Sequence, residues 1–102
     1  MDNIMDLLLE LKAFRHEYFT NSSQESFAPF SDASFKLAEA VKERIKEGGT
    51  VTFEGTDFQR SYELTETESL SNNNVDWLYF TDSEGRRIGF RMSRADKVSV
   101  EY

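Results

Sequence analysis

Cysteine is absent from the 102-residue sequence, and histidine and proline occur once each. Without cysteine the chain can form neither a disulfide nor a thiolate metal site, and one histidine cannot build a nitrogen-ligated site alone. Five glycines and one proline are also too few for a disordered, low-complexity chain. We therefore expect a folded domain that binds no metal and no cofactor.

The sequence also lacks the motifs of common enzymes. No GxSxG elbow is present to position a serine nucleophile, and no glycine-rich phosphate loop precedes a helix. Gly48 and Gly49 follow a predicted helix, and glycine in the left-handed conformation commonly ends helices. His16 has no second histidine or cysteine to complete a site and is predicted to be a surface residue. We expect no catalytic residue and interpret the chain as non-enzymatic.

Long apolar runs are missing near the start of the chain. Leu7–Leu9 is soon followed by Glu10 and Lys12, and the first charged residue is acidic. A secretory signal begins instead with basic residues and continues with an apolar run, and a membrane helix needs about 20 apolar residues. We expect a cytoplasmic protein with no membrane contact.

Negative charge is the main compositional feature. Asp and Glu outnumber Lys and Arg by 19 to 12, which gives a net charge of -7. The excess lies in residues 1–73, which hold 14 acidic against 7 basic residues, whereas residues 74–102 hold 5 of each. Affinity for nucleic acid comes largely from neutralising phosphates with Lys and Arg, so direct nucleic-acid binding is not expected. A partner protein with a basic surface fits this charge better.

The first 20 residues show helical periodicity. Apolar residues recur at steps of three and four, which places them on one face and predicts a helix at 3–19. Asp2 or Asn3 is expected to cap its start.

A second helix is predicted at 32–47. The segment 20–30 is rich in Ser, Asn and Gln and contains Pro29, which predicts a polar linker before the helix. Ser31 is the expected N-cap, and Gly48 with Gly49 marks the end.

Beyond Thr50 the apolar residues alternate with a period of two, which predicts short strands. The predicted strands are 50–54, 58–66, 75–81, 86–92 and 97–102. Short connections between neighbouring strands favour an antiparallel meander. The sequence therefore predicts one α+β domain over 1–102, with two N-terminal helices packed on a five-stranded antiparallel meander, as an open sheet or a small barrel. This order of elements is similar to that of Sm-like and SH3-like small barrels, but none of their sequence motifs is present.

The third predicted strand has apolar residues on both faces. Trp77 and Tyr79 lie on one face, and Leu78 and Phe80 lie on the other. A strand that is apolar on both sides is typical of the centre of a sheet. We therefore expect this strand to be central and Trp77 to be largely buried.

An acidic group is the first candidate for partner binding. Its members lie between residues 54 and 68: Glu54, Asp57, Glu63, Glu66 and Glu68. The group is compatible with a solvated sheet edge, where charge discourages edge-to-edge pairing. It is also compatible with docking to a basic protein, where spaced carboxylates would imitate the phosphates of a nucleic acid. An inhibitor among the accessory proteins of bacteria or their mobile elements is one role of this kind.

A basic group forms the alternative candidate. Its members lie near the C-terminus: Arg86, Arg87, Arg91, Arg94 and Lys97. They can form a solvated face paired with nearby acidic residues, which contributes little to stability. Alternatively they form an anion-binding patch in a small-barrel nucleic-acid-binding module, with Trp77 or Tyr79 available for stacking on bases.

Overall fold

Two helices precede five strands in the computed structural model, which describes residues 3–58 and 60–102. The elements are α1 (Ile4–Thr20), α2 (Gln24–Lys46), β1 (Thr50–Glu54), β2 (Tyr62–Leu64), β3 (Trp77–Thr81), β4 (Arg87–Arg91) and β5 (Lys97–Glu101). A short 3-10 turn, Met92–Arg94, connects β4 to β5. All strand pairs are antiparallel, so the predicted α+β class is confirmed.

α1 begins where its sequence provides a cap. The side-chain oxygen of Asn3 accepts a hydrogen bond from the backbone N–H of Met5 at 2.8 Å. This satisfies one of the N–H groups that a helix start leaves without a partner. The alternative cap, Asp2, lies outside the described residues. The apolar face predicted from the periodicity is buried, and α1 packs with it against α2, β5 and the 3-10 turn.

The prediction of a linker at 20–30 is wrong, because α2 begins at Gln24 rather than at residue 32. Ser23 accepts a hydrogen bond from the backbone of Ser26 at 3.2 Å, and the Ser26 hydroxyl accepts one from the backbone of Ser23 at 3.1 Å. This reciprocal capping satisfies two donors at the helix start. Pro29 is the sixth residue of α2, beyond the first turn, so the helix continues past it without the backbone hydrogen bond that proline cannot donate. The serines that predicted a linker therefore act as caps.

α2 ends at Gly48 and Gly49, as predicted. Gly48 has φ of +95°, and its N–H donates to the carbonyl of Ile45 at 3.0 Å. The N–H of Gly49 donates to the carbonyl of Arg44 at 2.9 Å. This pair of bonds is the Schellman motif, in which a residue in the left-handed conformation closes the helix.

Substitution of Gly48 by valine should lower the free energy of unfolding by about 1–2 kcal/mol, because a β-branched residue resists the left-handed region. A Cβ at this position would have no atom within 4 Å, so the loss would come from backbone conformation and not from a clash. Urea denaturation measures the effect. Gly48→Asn is the matched control and should lose less, since asparagine tolerates this conformation. Equal losses in the two variants would contradict the explanation.

The prediction of a single five-stranded meander is wrong. The strands form a three-stranded sheet in the order β2-β1-β5 and a separate two-stranded sheet of β3 and β4. Val51 of β1 lies opposite Leu64 of β2 on one side and Val100 of β5 on the other. β1 is therefore the central strand, and β3 is not.

The second strand is shorter than predicted, and this explains the division into two sheets. β2 covers Tyr62–Leu64 instead of 58–66, and Phe58 lies in a turn closed by a bond from its N–H to the Gly55 carbonyl at 3.1 Å. The polar segment after β2 forms only an isolated bridge, between Ser71 and Tyr79. Among the described residues, no ladder of hydrogen bonds links β2 to β3.

Phe90 joins the two sheets through an aromatic cluster. Its ring stacks on that of Tyr62 with centroids 4.5 Å apart and lies 5.0 Å from that of Phe53. The rings of Phe80 and Phe58 also lie close, at 6.2 and 5.9 Å. The inner faces of the two sheets thus share one core, on which the helices pack. Over the described residues, neither helix combines the length and apolarity needed to cross a bilayer.

Candidate functional site

The five residues of the acidic group are all exposed. None of them forms an ion pair with any residue that the structure describes. Glu54 and Glu63 lie on the outer face of the three-stranded sheet. Glu63 of β2 is opposite Thr52 of β1, and Glu54 lies two residues after Thr52 on β1, so all three side chains are on one face. Lys97 is opposite Glu54 on this face.

Glu63 and Glu66 also line a cavity of about 470 Å³ together with Asp82. The cavity lies where β2 and the end of β3 are not bonded to each other. Asp57 lies apart, at a different cavity, and Glu68 lines neither of the two. Glu63 thus shares a sheet face with Glu54 and a cavity with Glu66, and we call these three of the five predicted residues the acidic surface.

The five residues of the basic group do not form one patch. Arg86 is engaged in the turn between β3 and β4, where its guanidinium lies 3.1 Å from Asp82 and 3.0 Å from Glu84. The backbone N–H of Arg86 donates to Asp82 and lowers the pKa of that carboxyl. Arg94 lines a cavity beside α1, and Lys97 lies on the outer face of the other sheet.

Arg87 and Arg91 do share a surface, the outer face of the β3–β4 hairpin. Trp77 is opposite Arg91, and their side chains stack with the guanidinium carbon 5.2 Å from the ring centroid. Arg87 lies 5.9 Å from the ring of Tyr79 in the same way. The Trp77 and Tyr79 rings lie 5.8 Å apart and are nearly parallel, at 13°. We call these four residues the aromatic–arginine face.

Trp77 is intermediate in burial, and it lies on the outer face of the hairpin and not in the core. Its side chain is only partly buried, whereas Leu78 is fully enclosed in the core. On this outer face Trp77 and Tyr79 stack on each other and are covered by Arg91 and Arg87. Apolar residues on both faces therefore do not require that both faces be buried.

Neighbouring residues hold the aromatic–arginine face in position. A Cβ at Gly89 would lie 2.5 Å from the Tyr79 ring, so the missing side chain provides the space that the ring occupies. Arg87 donates hydrogen bonds to the Ser69 carbonyl at 2.5 Å and to the Ser71 hydroxyl at 2.6 Å. These contacts fix one arginine and one ring before any ligand binds.

Asp76 forms a buried polar centre that sequence reasoning missed. Its side chain accepts hydrogen bonds from the backbone N–H of Ser93 at 2.9 Å and from the Ser93 hydroxyl at 2.5 Å. Its own N–H donates to the Ser34 hydroxyl at 2.7 Å, and its φ is +74°. Burial raises the pKa of Asp76, while the bonds from Ser93 and the positive charge of Arg15 act in the opposite direction. An aspartate between Val75 and Trp77 was the available signal, since a carboxylate in an apolar strand needs buried partners.

A second cavity, of about 530 Å³, lies between α1 and the 3-10 turn. Its lining residues are Lys12, Arg15, His16, Asp57, Ser93, Arg94 and Asp96. His16 is exposed, as predicted. In residues 3–58 and 60–102, no cluster of three or more His, Cys, Asp or Glu side chains could hold a metal ion.

The chain was compared with protein-family models, with curated protein sequences and with solved structures. None of the three comparisons finds a match. A function for this chain is therefore argued from its own surfaces.

Proposed function

We propose that this chain is a non-enzymatic protein-binding domain that uses its acidic surface to dock on a basic surface of another protein. The observation that supports the proposal is the lack of ion pairs at Glu54, Glu63 and Glu66 within the described chain. All three are exposed, and two of them lie on a strand-supported face.

The charge balance elsewhere strengthens this interpretation. Lys42 is paired with Glu39, and Arg86 is paired with Asp82 and Glu84. These cations are engaged locally, so they do little to screen the acidic surface. Lys97, opposite Glu54, and Arg60, beside Glu63 and Glu66, offset part of this charge. A net negative field attracts a basic partner and accelerates association. Spaced carboxylates can also imitate phosphates, so we propose an accessory role as an inhibitor of a nucleic-acid-binding protein in the cytoplasm.

Charge reversal at the acidic surface should slow capture of the partner. We expect the triple variant Glu54→Lys, Glu63→Lys, Glu66→Lys to lower the association rate with a partner recovered from native cytoplasm by about tenfold or more at low salt. The wild-type rate should fall as salt rises, because the attraction is screened. Surface-immobilised partner and stopped-flow mixing measure these rates.

The matched control reverses three exposed glutamates elsewhere: Glu10→Lys, Glu17→Lys, Glu43→Lys. This control changes the net charge by the same amount but leaves the acidic surface intact. It should reduce the rate much less than the first triple variant. Equal reductions would show that only the net charge matters and would refute docking at this surface.

Nucleic-acid binding through the aromatic–arginine face is the second candidate. The observation that favours it is the placement of Arg87 and Arg91 beside two stacked aromatic rings. Bases stack on such rings, and arginine can contact their phosphates. The net charge of -7 opposes this binding at long range.

The single tryptophan separates the two candidates. A base that stacks on Trp77 should quench its fluorescence, whereas a protein bound to the acidic surface would leave the ring untouched. We expect random single- and double-stranded oligonucleotides to cause no saturable quenching at about 0.15 M salt. Saturable quenching that disappears in the Arg87→Ala, Arg91→Ala variant would make nucleic-acid binding the preferred function.

A further inference from the structure

We propose that the cavity between α1 and the 3-10 turn, which we call the α1 cavity, binds a small polar molecule that carries a phosphate or carboxylate group. The inference is independent of the proposed docking at the acidic surface. It rests on the cationic groups that two separate elements bring to one cavity on an otherwise acidic protein.

Helix geometry supplies one wall of the α1 cavity. Arg15 and His16 follow Lys12 by three and four positions, so all three lie on the same side of α1. The 3-10 turn contributes Arg94 and the Ser93 hydroxyl from the other side. The volume of about 530 Å³ falls within the range of small-molecule sites.

Three of these groups retain capacity to bind an anion. Arg94 and His16 are exposed, and neither makes a hydrogen bond or ion pair with any residue in the described ranges. Arg15 approaches the Asp76 carboxylate only to 3.8 Å, and its buried Nε has no hydrogen-bond partner within the described structure. Arginine presents its donors as a planar fork that matches phosphate and carboxylate oxygens.

The remaining charges define what else the ligand should carry. Lys12 donates to the Ala95 carbonyl at 2.6 Å and lies 4.0 Å from Asp96, so this lysine is already engaged. Asp96 in turn accepts a bond from the backbone N–H of Thr56 at 2.9 Å. The lining contains three Lys or Arg residues and two Asp residues, a local excess of one positive charge.

Asp57 and Asp96 can accept hydrogen bonds from hydroxyl or amino groups of a ligand. No Phe, Tyr or Trp side chain lines the α1 cavity in the described structure, and His16 supplies its one ring. The chemistry fits a small hydroxylated or aminated molecule that ends in an oxyanion.

The lone histidine gives a direct test, because His16 is the only source of imidazole signals in an NMR spectrum. The probes are glycerol phosphate and glycerate, which share hydroxyl groups and differ in the oxyanion. Both are titrated at fixed pH and constant ionic strength, with sodium chloride as the reference salt. We expect a saturable shift of the His16 signals with at least one probe, and the response to each identifies phosphate or carboxylate as the preferred group.

Arg94→Ala should weaken this binding about tenfold or more, since it removes an uncommitted guanidinium. Arg94 is exposed and has no described partner, so the variant should fold normally. Arg86→Ala, which removes an arginine from the distant β3–β4 turn, is the control and should bind like the wild type. Shifts that remain linear in probe concentration, or an Arg94→Ala variant that binds as tightly as the wild type, would overturn the proposal.

Discussion

Replacement of Phe90 by alanine should lower the free energy of unfolding by about 3–5 kcal/mol, the usual cost of deleting a buried phenylalanine. The Phe90 ring is 3% exposed and contacts aromatic rings from both sheets. Its loss would leave a cavity at the point where the two sheets meet. Because the free energy of unfolding of small domains is only about 5–15 kcal/mol, this single change should remove a large part of it.

Chemical denaturation of the Phe90→Ala variant measures the effect. Phe35→Ala is the matched control, since the Phe35 side chain is 39% exposed and should cost much less when truncated. Phe90→Leu should fall between the two, because leucine refills part of the cavity. Similar losses at Phe90 and Phe35 would contradict the assignment of Phe90 to the shared core.

Replacement of Asp76 by alanine should cost about 3 kcal/mol. The change would leave the buried N–H of Ser93 without an acceptor, and an unsatisfied buried donor costs about 1–3 kcal/mol. Alanine would also have to keep φ near +74°, which it resists. Arg15 would lose its nearest carboxylate as well. Asp76→Asn keeps an acceptor for the Ser93 N–H and tolerates this φ, so it should cost less; an equal loss would contradict this explanation.

The difference in stability between the wild type and the Asp76→Asn variant should change with pH in one direction. Burial raises the pKa of Asp76 above its ordinary value of 3.8, so the folded chain holds this proton more tightly than the unfolded chain. The stability that Asp76 contributes is therefore greatest below that ordinary value and falls as pH rises through the raised folded value. Urea denaturation from acidic to neutral pH should show the wild type losing stability relative to the non-titrating Asn variant. The opposite trend would mean that the hydrogen bonds from Ser93 and the charge of Arg15 outweigh burial.

Local patterns predicted the elements better than their arrangement. The apolar repeat from Ile4 identified α1, and the glycine at 48 identified the end of α2. Alternation in the second half identified five strands, but alternation specifies only which face a residue occupies. It does not specify which strand is the neighbour, so the pairing of β5 with β1 was not predictable from it.

The start of α2 shows how one residue type can indicate two structures. Ser23 and Ser26 lie in a segment whose composition resembles a linker, yet serine is also a preferred N-cap. Which role applies depends on whether the residues that follow can bury an apolar side chain. Phe30 does so at 5% exposure and stacks on Tyr18 of α1, a contact that the local sequence does not reveal.

Candidate surfaces were predictable only where their residues are close in sequence. Arg87 and Arg91 share a strand face, as their spacing indicated. Asp57 was grouped with Glu54 by sequence proximity, but the turn after β1 carries it to the α1 cavity. The combination of His16 with Arg94 depends on packing between distant segments, and no sequence spacing contains that information.

The pairing of β1 with β5 joins distant parts of the sequence. It joins Val51 to Val100, 49 positions later in the chain. Closing a loop of this length costs conformational entropy before the contacts compensate for it, and topologies rich in distant contacts fold slowly. α1 can pack on α2 and β1 can pair with β2 without β5, but the other edge of β1 then has no strand to bond to. β5 therefore covers the edge of β1 that no other described strand pairs with.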